Sequence, residues 1–522
     1  MSDKYWSVWN DEVQAKIDAD IGKYRKADCR IAIDAPAGTE VQVEQLTHAF
    51  YFGAHIFNYN QLGRKEYNDR YKALYDAEKG IFNSGTVAFY WRTLERYPFA
   101  TRFAEAYEDT EEYWNSLPRE QAMNEPHWRR PAPDPVIAHL KTQGCRIHGH
   151  PLVWGNNAWH TPTWLWDEFT PESEKFALEA ATGVRIPRRN INAPMGVKDM
   201  KRDSNERSWP DAWQRIYAQL SEEEIAALVP SYVKAQKFFY EKRIREIGER
   251  YGSRVDSWDV VNESATDWEI GAQRQWENGD TSAVNKLPIT KSWYGIMPAN
   301  YAYNGLVLAR KYMKPDAWLN VNECNMHSFP GQIADLKAHG ADFDVVGSQM
   351  HLFDPVESAK IARGEFSDEV RDKTSPEGIS TTFAKVTEAS GGKPIHLSEI
   401  TITAPDNTPA GQMVQAIIMR NCYRAWFAVE KMTGITWWNV VDNCGAPGEP
   451  SISGLFTREM EPKAVYFAMD DLINREWKTK LTVKVTGEDG EGTVSFRGFR
   501  GRYRLTWKGA DGKECSKLFE LK

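Results

Sequence analysis

Eight short β-like runs, separated mostly by helical stretches, constrain this chain more than any other feature. They are AFYFGAHIF (49–57), SGTVAFYW (84–91), RIHGHPLVW (146–154), SWDVVNE (257–263), AWLNVNE (317–323), FDVVGSQMH (343–351), PIHLSEITI (394–402) and GITWWNVVD (434–442). Each is rich in β-branched or aromatic residues. Between them lie amphipathic segments at 230–252, 298–313 and 410–431. In the first of these, Val233, Phe238, Ile244 and Ile247 are spaced for one buried face, and Tyr251-Gly252 marks a C-cap. Strands alternating with helices imply a parallel sheet, and eight repeats imply an α/β fold of the (β/α)8 TIM-barrel type. An open doubly wound sheet would carry a glycine-rich phosphate turn after an early strand. Neither G-x-G-x-x-G nor a Walker pattern occurs.

The two ends of the chain read differently. Residues 27–50 suggest a hairpin around Pro36-Ala37-Gly38. Residues 476–522 hold alternating strands separated by Gly-Glu-Asp-Gly and Ala-Asp-Gly turns. The expected organisation is an N-terminal helix and β-hairpin over 1–44 and a catalytic barrel over 45–475. A small all-β element over 476–522 is completed by the N-terminal segment. Residues 166–229 lack strong periodicity and include Arg185, Arg188, Arg189, Lys198, Lys201 and Arg202. They read as an insertion on the active face, its charges those of a solvated loop.

Composition excludes several functions. Of 522 residues, 65 are Lys or Arg and 73 Asp or Glu, a net charge of −8. That balance argues against nucleic acid and against a polybasic membrane attachment. No apolar run approaches the ~20 residues of a membrane span. The opening MSDKYWSVWNDEV holds no secretory apolar stretch, so the chain is either cytoplasmic or had its signal removed before this numbering. The six cysteines form no C-x-x-C pair and read as buried free thiols. The 21 tryptophans offer flat faces on which sugar rings stack, although many belong in a core.

In a barrel, chemistry sits at the C-terminal ends of strands. Polar residues collect there: His148 and His150, Asn262 and Glu263, Asn322 and Glu323, Gln349 and His351, Glu399, and Asp442. Glu263 and Glu399, ending the fourth and seventh strands, form the central pair. Two carboxyl groups at one barrel mouth suit glycoside hydrolysis: one protonates the leaving oxygen, the other attacks the anomeric carbon or activates water. Glu323 and Asp442 compete for these roles. His148 and His150 are also a possible seed of a metal site. His55, His148 and His160 are open to a plain core role.

The segments HGHPLVW (148–154), WDVVNE (258–263), VGSQMHL (346–352), LSEI (397–400) and SGLFTREMEPKAVY (453–466) resemble glycoside hydrolase family 10, mainly retaining endo-β-1,4-xylanases on a (β/α)8 barrel. The resemblance runs from about residue 45 to about 475. It implies Glu263 as general acid/base and Glu399 as nucleophile. Asn262 would bond the sugar 2-hydroxyl, and His150 and Trp154 would line the sugar site beside the cleaved bond. Gln349 and His351 would flank Glu399, with Trp438 as a stacking wall and Asn322 as the asparagine ending the fifth strand. The negative charge of Glu399 would favour a protonated Glu263.

Departures concentrate where the family grips the next sugar. Its Glu-Asn-x-Met-Lys-Trp pattern becomes Thr86-Val87-Ala88-Phe89-Tyr90-Trp91, leaving Tyr90 and Trp91 as the binding candidates. Trp-His becomes Trp154-Gly155, the aspartate after the nucleophile becomes Thr401, and a tyrosine becomes Cys324. The chemistry is spared and the recognition shell altered, so a glycan other than plain xylan is expected. The basic insertion is a candidate for meeting a uronate or sulfate on it. The implied partner is a polysaccharide or oligosaccharide, and no cofactor is implied. The alternative is a carbohydrate-binding barrel without catalysis.

Overall fold

The computed structural model describes residues 1–156, 159–186, 204–274, 287–292, 295–446, 448–487, 492–509 and 511–522, with backbone only for 204–210 and Glu369. Arg188, Arg189, Lys198, Lys201 and Arg202 of the expected insertion lie outside the described residues. Seventeen strands are described. The barrel uses β3 (Tyr51–His55), β4 (Ser84–Ala88), β5 (Arg146–His150), β7 (Ser257–Asn262), β10 (Trp318–Glu323), β11 (Val345–Leu352), β12 (Ile395–Ile402) and β13 (Met432–Trp437). Each pairs in parallel with the next, and β13 returns to β3. Closure removes every sheet edge. All eight coincide with the runs expected from sequence. The two-residue β6 (Val153–Trp154) continues the line of β5 along β7.

Buried strands explain the apolar character of these runs: every residue of β4, β7 and β12 is buried. Two of these strands carry the glutamates, and each slips register by one residue. Val260 is the extra residue of β7 against β10, and Ser398 that of β12 against β11. Such bulges re-aim the side chains that follow. The bulge at Ser398 immediately precedes Glu399.

The described parts of the insertion are largely helical, and Arg185 on them is exposed. Helices Trp164–Phe169, Glu172–Thr182, Ser204–Tyr217 and Glu222–Leu228 enclose a second core with Leu178, Trp213, Ile216 and Ile225. The hairpin of β8 (Ile289–Ser292) and β9 (Gly295–Pro298) adds Ile289 and Ile296 to it. Helix period was masked because apolar residues here face an unforeseen partner. In helix Pro230–Tyr251, Phe239 takes the buried place expected of Phe238, which is half exposed. Gly252 caps that helix in a right-handed conformation.

The terminal segments make two small packed sheets. In one, β1 (Lys26–Ile33) pairs antiparallel with β15 (Gly492–Phe499). In the other the order is β14 (Lys480–Lys484), β2 (Glu40–His48), β16 (Gly501–Lys508), β17 (Glu514–Leu521). Their shared core includes Val41, Val43, Val494, Tyr503 and Leu505. The expected β1–β2 hairpin therefore does not form. The turn at 34–39 carries the chain from one sheet to the other, and each strand takes its partners from the C-terminal segment. β2 runs directly into β3, so this unit lies at the N-terminal end of the barrel, opposite the mouth. No helix among the described residues is long and apolar enough to cross a membrane.

Gly149 shows how tightly the mouth strands are fitted. A Cβ there would fall 2.2 Å from the ring of Trp258, itself held by Phe89 at 4.9 Å. Gly149→Ala is expected to cost about 1–3 kcal/mol or more by overpacking. Urea unfolding checks this; an unchanged midpoint would contradict the packing described.

Candidate active site

At the C-terminal end of the barrel a cavity of about 340 Å³ is lined by Tyr90, His150, Trp154, Asn262, Glu263, Gln349, His351, Glu399 and Trp438. Trp128, Arg129, Arg130, Trp159, Cys324, Phe353, Ala446 and Glu449 complete it. Asn322 lies just below, on β10. Trp91 does not reach the cavity. It is buried in the second core, with its indole donating to Glu95 at 2.9 Å. The turn after β4 sends Tyr90 inward and Trp91 beneath the insertion helices.

The two glutamates share one donor. The Gln349 amide nitrogen lies 3.1 Å from Glu263 Oε1 and 3.0 Å from Glu399 Oε1. Those two oxygens are therefore at most about 6 Å apart. Asn322 Nδ2 donates to Glu399 Oε1 at 2.9 Å and to Asn262 Oδ1 at 2.8 Å. The Ser398 hydroxyl donates to Asn322 Oδ1, so the bulge residue fixes which way that amide points. Trp154 Nε1 donates to Glu263 Oε2 at 3.1 Å. Asn262, Asn322, Gln349 and Glu399 are all buried.

Glu263 stands in the left-handed backbone region, with φ of 53°. For a residue other than glycine this costs roughly 1–2 kcal/mol. The conformation is imposed from two sides. Glu263 N donates to Asn322 O at 2.8 Å. Glu323 accepts from the amides of Ala265 (2.7 Å), Cys324 (2.9 Å) and Asn325 (2.8 Å), pinning the turn after β7. Burial pushes Glu323 up to about 7. Glu323 thus supports the turn and does not line the cavity. Asp442, the other competitor, is tied to Lys463 at 3.0 Å and to the Gly454 amide at 2.7 Å.

The histidines divide by partner. His150 and His148 both turn a ring nitrogen on Asp259, at 2.8 and 2.9 Å. Burial pushes the Asp259 carboxyl up, but the two histidines hold it well below the usual carboxylate range. His150 Nε2 meets the Tyr90 hydroxyl at 3.1 Å and lies 3.7 Å from Glu399. Among the described residues no group of three or more His, Cys, Asp or Glu is placed to hold a metal ion. His351 Nδ1 lies 3.0 Å from Thr401 Oγ1, and its Nε2 lies 3.4 Å from Glu399 Oε2. Burial pulls His351 down to about 4, so it is neutral at ordinary pH. The Thr401 hydroxyl therefore supports the ring. His160 is a buried core residue, and His55 bonds Asn439 and Arg129 beneath the cavity.

Sequence reasoning missed the loop Trp128–Arg130 and Glu449. Glu449 accepts from Trp438 Nε1 at 3.1 Å, from Asn439 at 2.8 Å and from the Ala446 amide at 2.7 Å. Both lie in long connections outside the strand runs, and only their charge amid aromatic neighbours offered a signal.

Burial acts most strongly on Glu399. It pushes that carboxyl from an ordinary 4.5 up to about 8, with His150 opposing and Glu263 adding to the rise. Stability from the neutral form is thus complete below 4.5 and lost as pH climbs to about 8. Glu399→Gln cannot ionise and keeps the acceptor for Asn322. The variant is expected to be more stable than wild type by on the order of 1–3 kcal/mol at pH 8–9, with the gap closing towards pH 4. Denaturant unfolding across that range checks it; a gap independent of pH would contradict it.

Residues 230–472 match the family model described as Glycosyl hydrolase family 10. Endo-1,4-beta-xylanase A of Halalkalibacterium halodurans is 27% identical over 214 residues, 39% of this chain. The match spans 47% of that protein, about half its length. Among solved structures, GH10 from Paenibacillus barcinonensis is similar with a TM-score of 0.47 and 16% identity, covering 81% of this chain and 95% of that one. Xylanase 10B from Thermotoga maritima gives a TM-score of 0.48 and 16% identity, covering 82% and 96%. Glu263, Asn322, Gln349 and Glu399 all lie inside the matched region, which is similar to glycoside hydrolase family 10 over just under half of the chain.

Proposed function

We propose that this protein is a retaining β-glycoside hydrolase acting on a xylan-like or other β-linked polysaccharide, with an altered site for the sugar on the glycone side. Glu399 is its nucleophile and Glu263 its general acid/base. The observation that carries this is the shared Gln349 donor, which keeps the two carboxyl oxygens within about 6 Å. Retaining enzymes separate their carboxyl groups by ~5–5.5 Å, whereas inverting ones leave ~6.5–9.5 Å for a water.

The hydrogen bonds support a reading of the individual oxygens. Oε1 of Glu399 is occupied by Asn322 and Gln349. Oε2 faces only the longer His351 contact and is the oxygen left to attack the anomeric carbon. The pair shares one proton; burial favours it on Glu399 at rest, and attack requires it on Glu263, ready for the leaving oxygen, with Glu399 ionised. In the second step Glu263, now a base, takes a proton from water as it opens the glycosyl-enzyme. Trp154, donating to Glu263, keeps that carboxyl facing the bond that breaks.

The test is chromatography of products from plain xylan, glucuronoxylan, mixed-linkage glucan, β-galactan and sulfated algal glycans. Wild type is expected to cut one of them and Glu399→Ala none. Glu263→Gln should lose at least about 10³-fold on that glycan. It should lose far less in the first step on an aryl glycoside, whose leaving group needs no proton. Binding of a glycan with no cleavage by wild type would instead support the non-catalytic barrel.

A further inference from the structure

Arg130 lines the cavity and is only 8% exposed. Its guanidinium lies over the Tyr90 ring, 3.7 Å from the centroid, and 5.2 Å from that of Phe57. Among the described residues its one side-chain hydrogen bond goes to the Arg129 carbonyl at 2.8 Å, and its buried Nε has no partner. Among the described residues no carboxylate lies within 4.0 Å of it. Arg129 differs. It is 3% exposed, and Glu449 Oε2 stands 3.7 Å from it, with Asn439 and His55 each at 3.1 Å. Glu449 is thus held by Arg129, Trp438 and the Ala446 amide and acts on Arg130 only from beyond 4.0 Å, which leaves Arg130 a buried cation without a close counter-charge.

Burying a cation without a close partner is costly, and a fold keeps one where something else supplies the anion. Glu263 and Glu399 do not serve, since among the described residues neither comes within 4.0 Å of the guanidinium, and the close imidazole contacts of Glu399 are to His150 and His351. The loop is also built to hold its place. Arg129 takes a left-handed φ of 61°, and its amide donates to Gln61 at 2.7 Å. Stacking on Tyr90 holds the Arg130 fork flat, the geometry that receives a carboxylate or sulfate through paired N–H donors. Tyr90 in turn bonds His150 beside Glu399, which sets Arg130 on the side of the sugar that reacts.

Resting on the hydrolase reading above, we propose that Arg130 is a specificity-determining residue that receives an anionic substituent, a carboxylate or a sulfate ester, on the glycone side of a β-glycan. This role was expected of the basic insertion; the cavity places it in the connection that follows β4, ahead of helix Pro133–Thr142.

Titration calorimetry with Glu399→Gln tests it on two matched pairs. One is uronate-substituted β-xylo-oligosaccharides and their carboxyl-reduced forms. The other is sulfated β-galactan oligosaccharides and their desulfated forms. One anionic member is expected to bind at least about 100-fold tighter than its neutral match. Adding Arg130→Gln should remove at least tenfold of that preference, and Arg130→Lys should leave part of it. The pair that discriminates names the anion. Equal binding within both pairs, an undiminished preference in Arg130→Gln, or no binding by any of the four overturns the proposal. The wild-type-loop comparison alone decides if Arg130→Gln fails to fold. Preference without cleavage by wild type would overturn the hydrolase reading and leave the Arg130 assignment standing; cleavage without preference would do the reverse.

Discussion

The amide nitrogen of Gln349, placed between Glu263 and Glu399, is the contact on which the rest of the site depends. It brings together side chains from strands that are not neighbours: β7 and β12 are separated by β10 and β11. Two carboxyl groups this close repel when both are charged, and shared donors are what hold them. Asn322 supplies the second donor from β10. The Asn322 amide is oriented from behind by the hydroxyl of Ser398. The bulge at the buried Ser398 is therefore part of the site, although no substrate need touch it.

The site pays for this arrangement in backbone and charge. A left-handed Glu263, a left-handed Arg129 and a deeply buried Glu399 each oppose folding. A closed barrel with fully buried strands supplies the opposing stability. The glutamate between β10 and the turn after β7, Glu323, shows the division of labour. It is as buried as Glu399, but three backbone amides consume its oxygens and remove it from chemistry.

The barrel was legible because eight apolar runs recur with helices between them, a pattern that the period of a buried strand forces on the sequence. The polar residues at strand ends were legible for the same reason: they interrupt apolar runs at a fixed place. What was not legible lies in long-range pairing. β1 and β2 read as a hairpin because they are adjacent, yet each pairs with a strand more than 400 residues away. The insertion read as polar because its apolar residues face one another across segments distant in sequence. Trp91 was placed in the site by its match to a motif, but a turn of one residue separates it from Tyr90 and buries it elsewhere. Arg129 and Arg130 sit in a connection with no pattern, and only their stacking and burial distinguish them.

The central claim is that two glutamates within about 6 Å carry out a double displacement. The most direct measurement is proton NMR of the first-formed product anomer, recorded before mutarotation, on whichever glycan the protein cuts. The account predicts that the β-anomer appears first and the α-anomer grows in later. Initial appearance of the α-anomer would mean a single displacement by water, and would contradict the assignment of Glu399 as nucleophile.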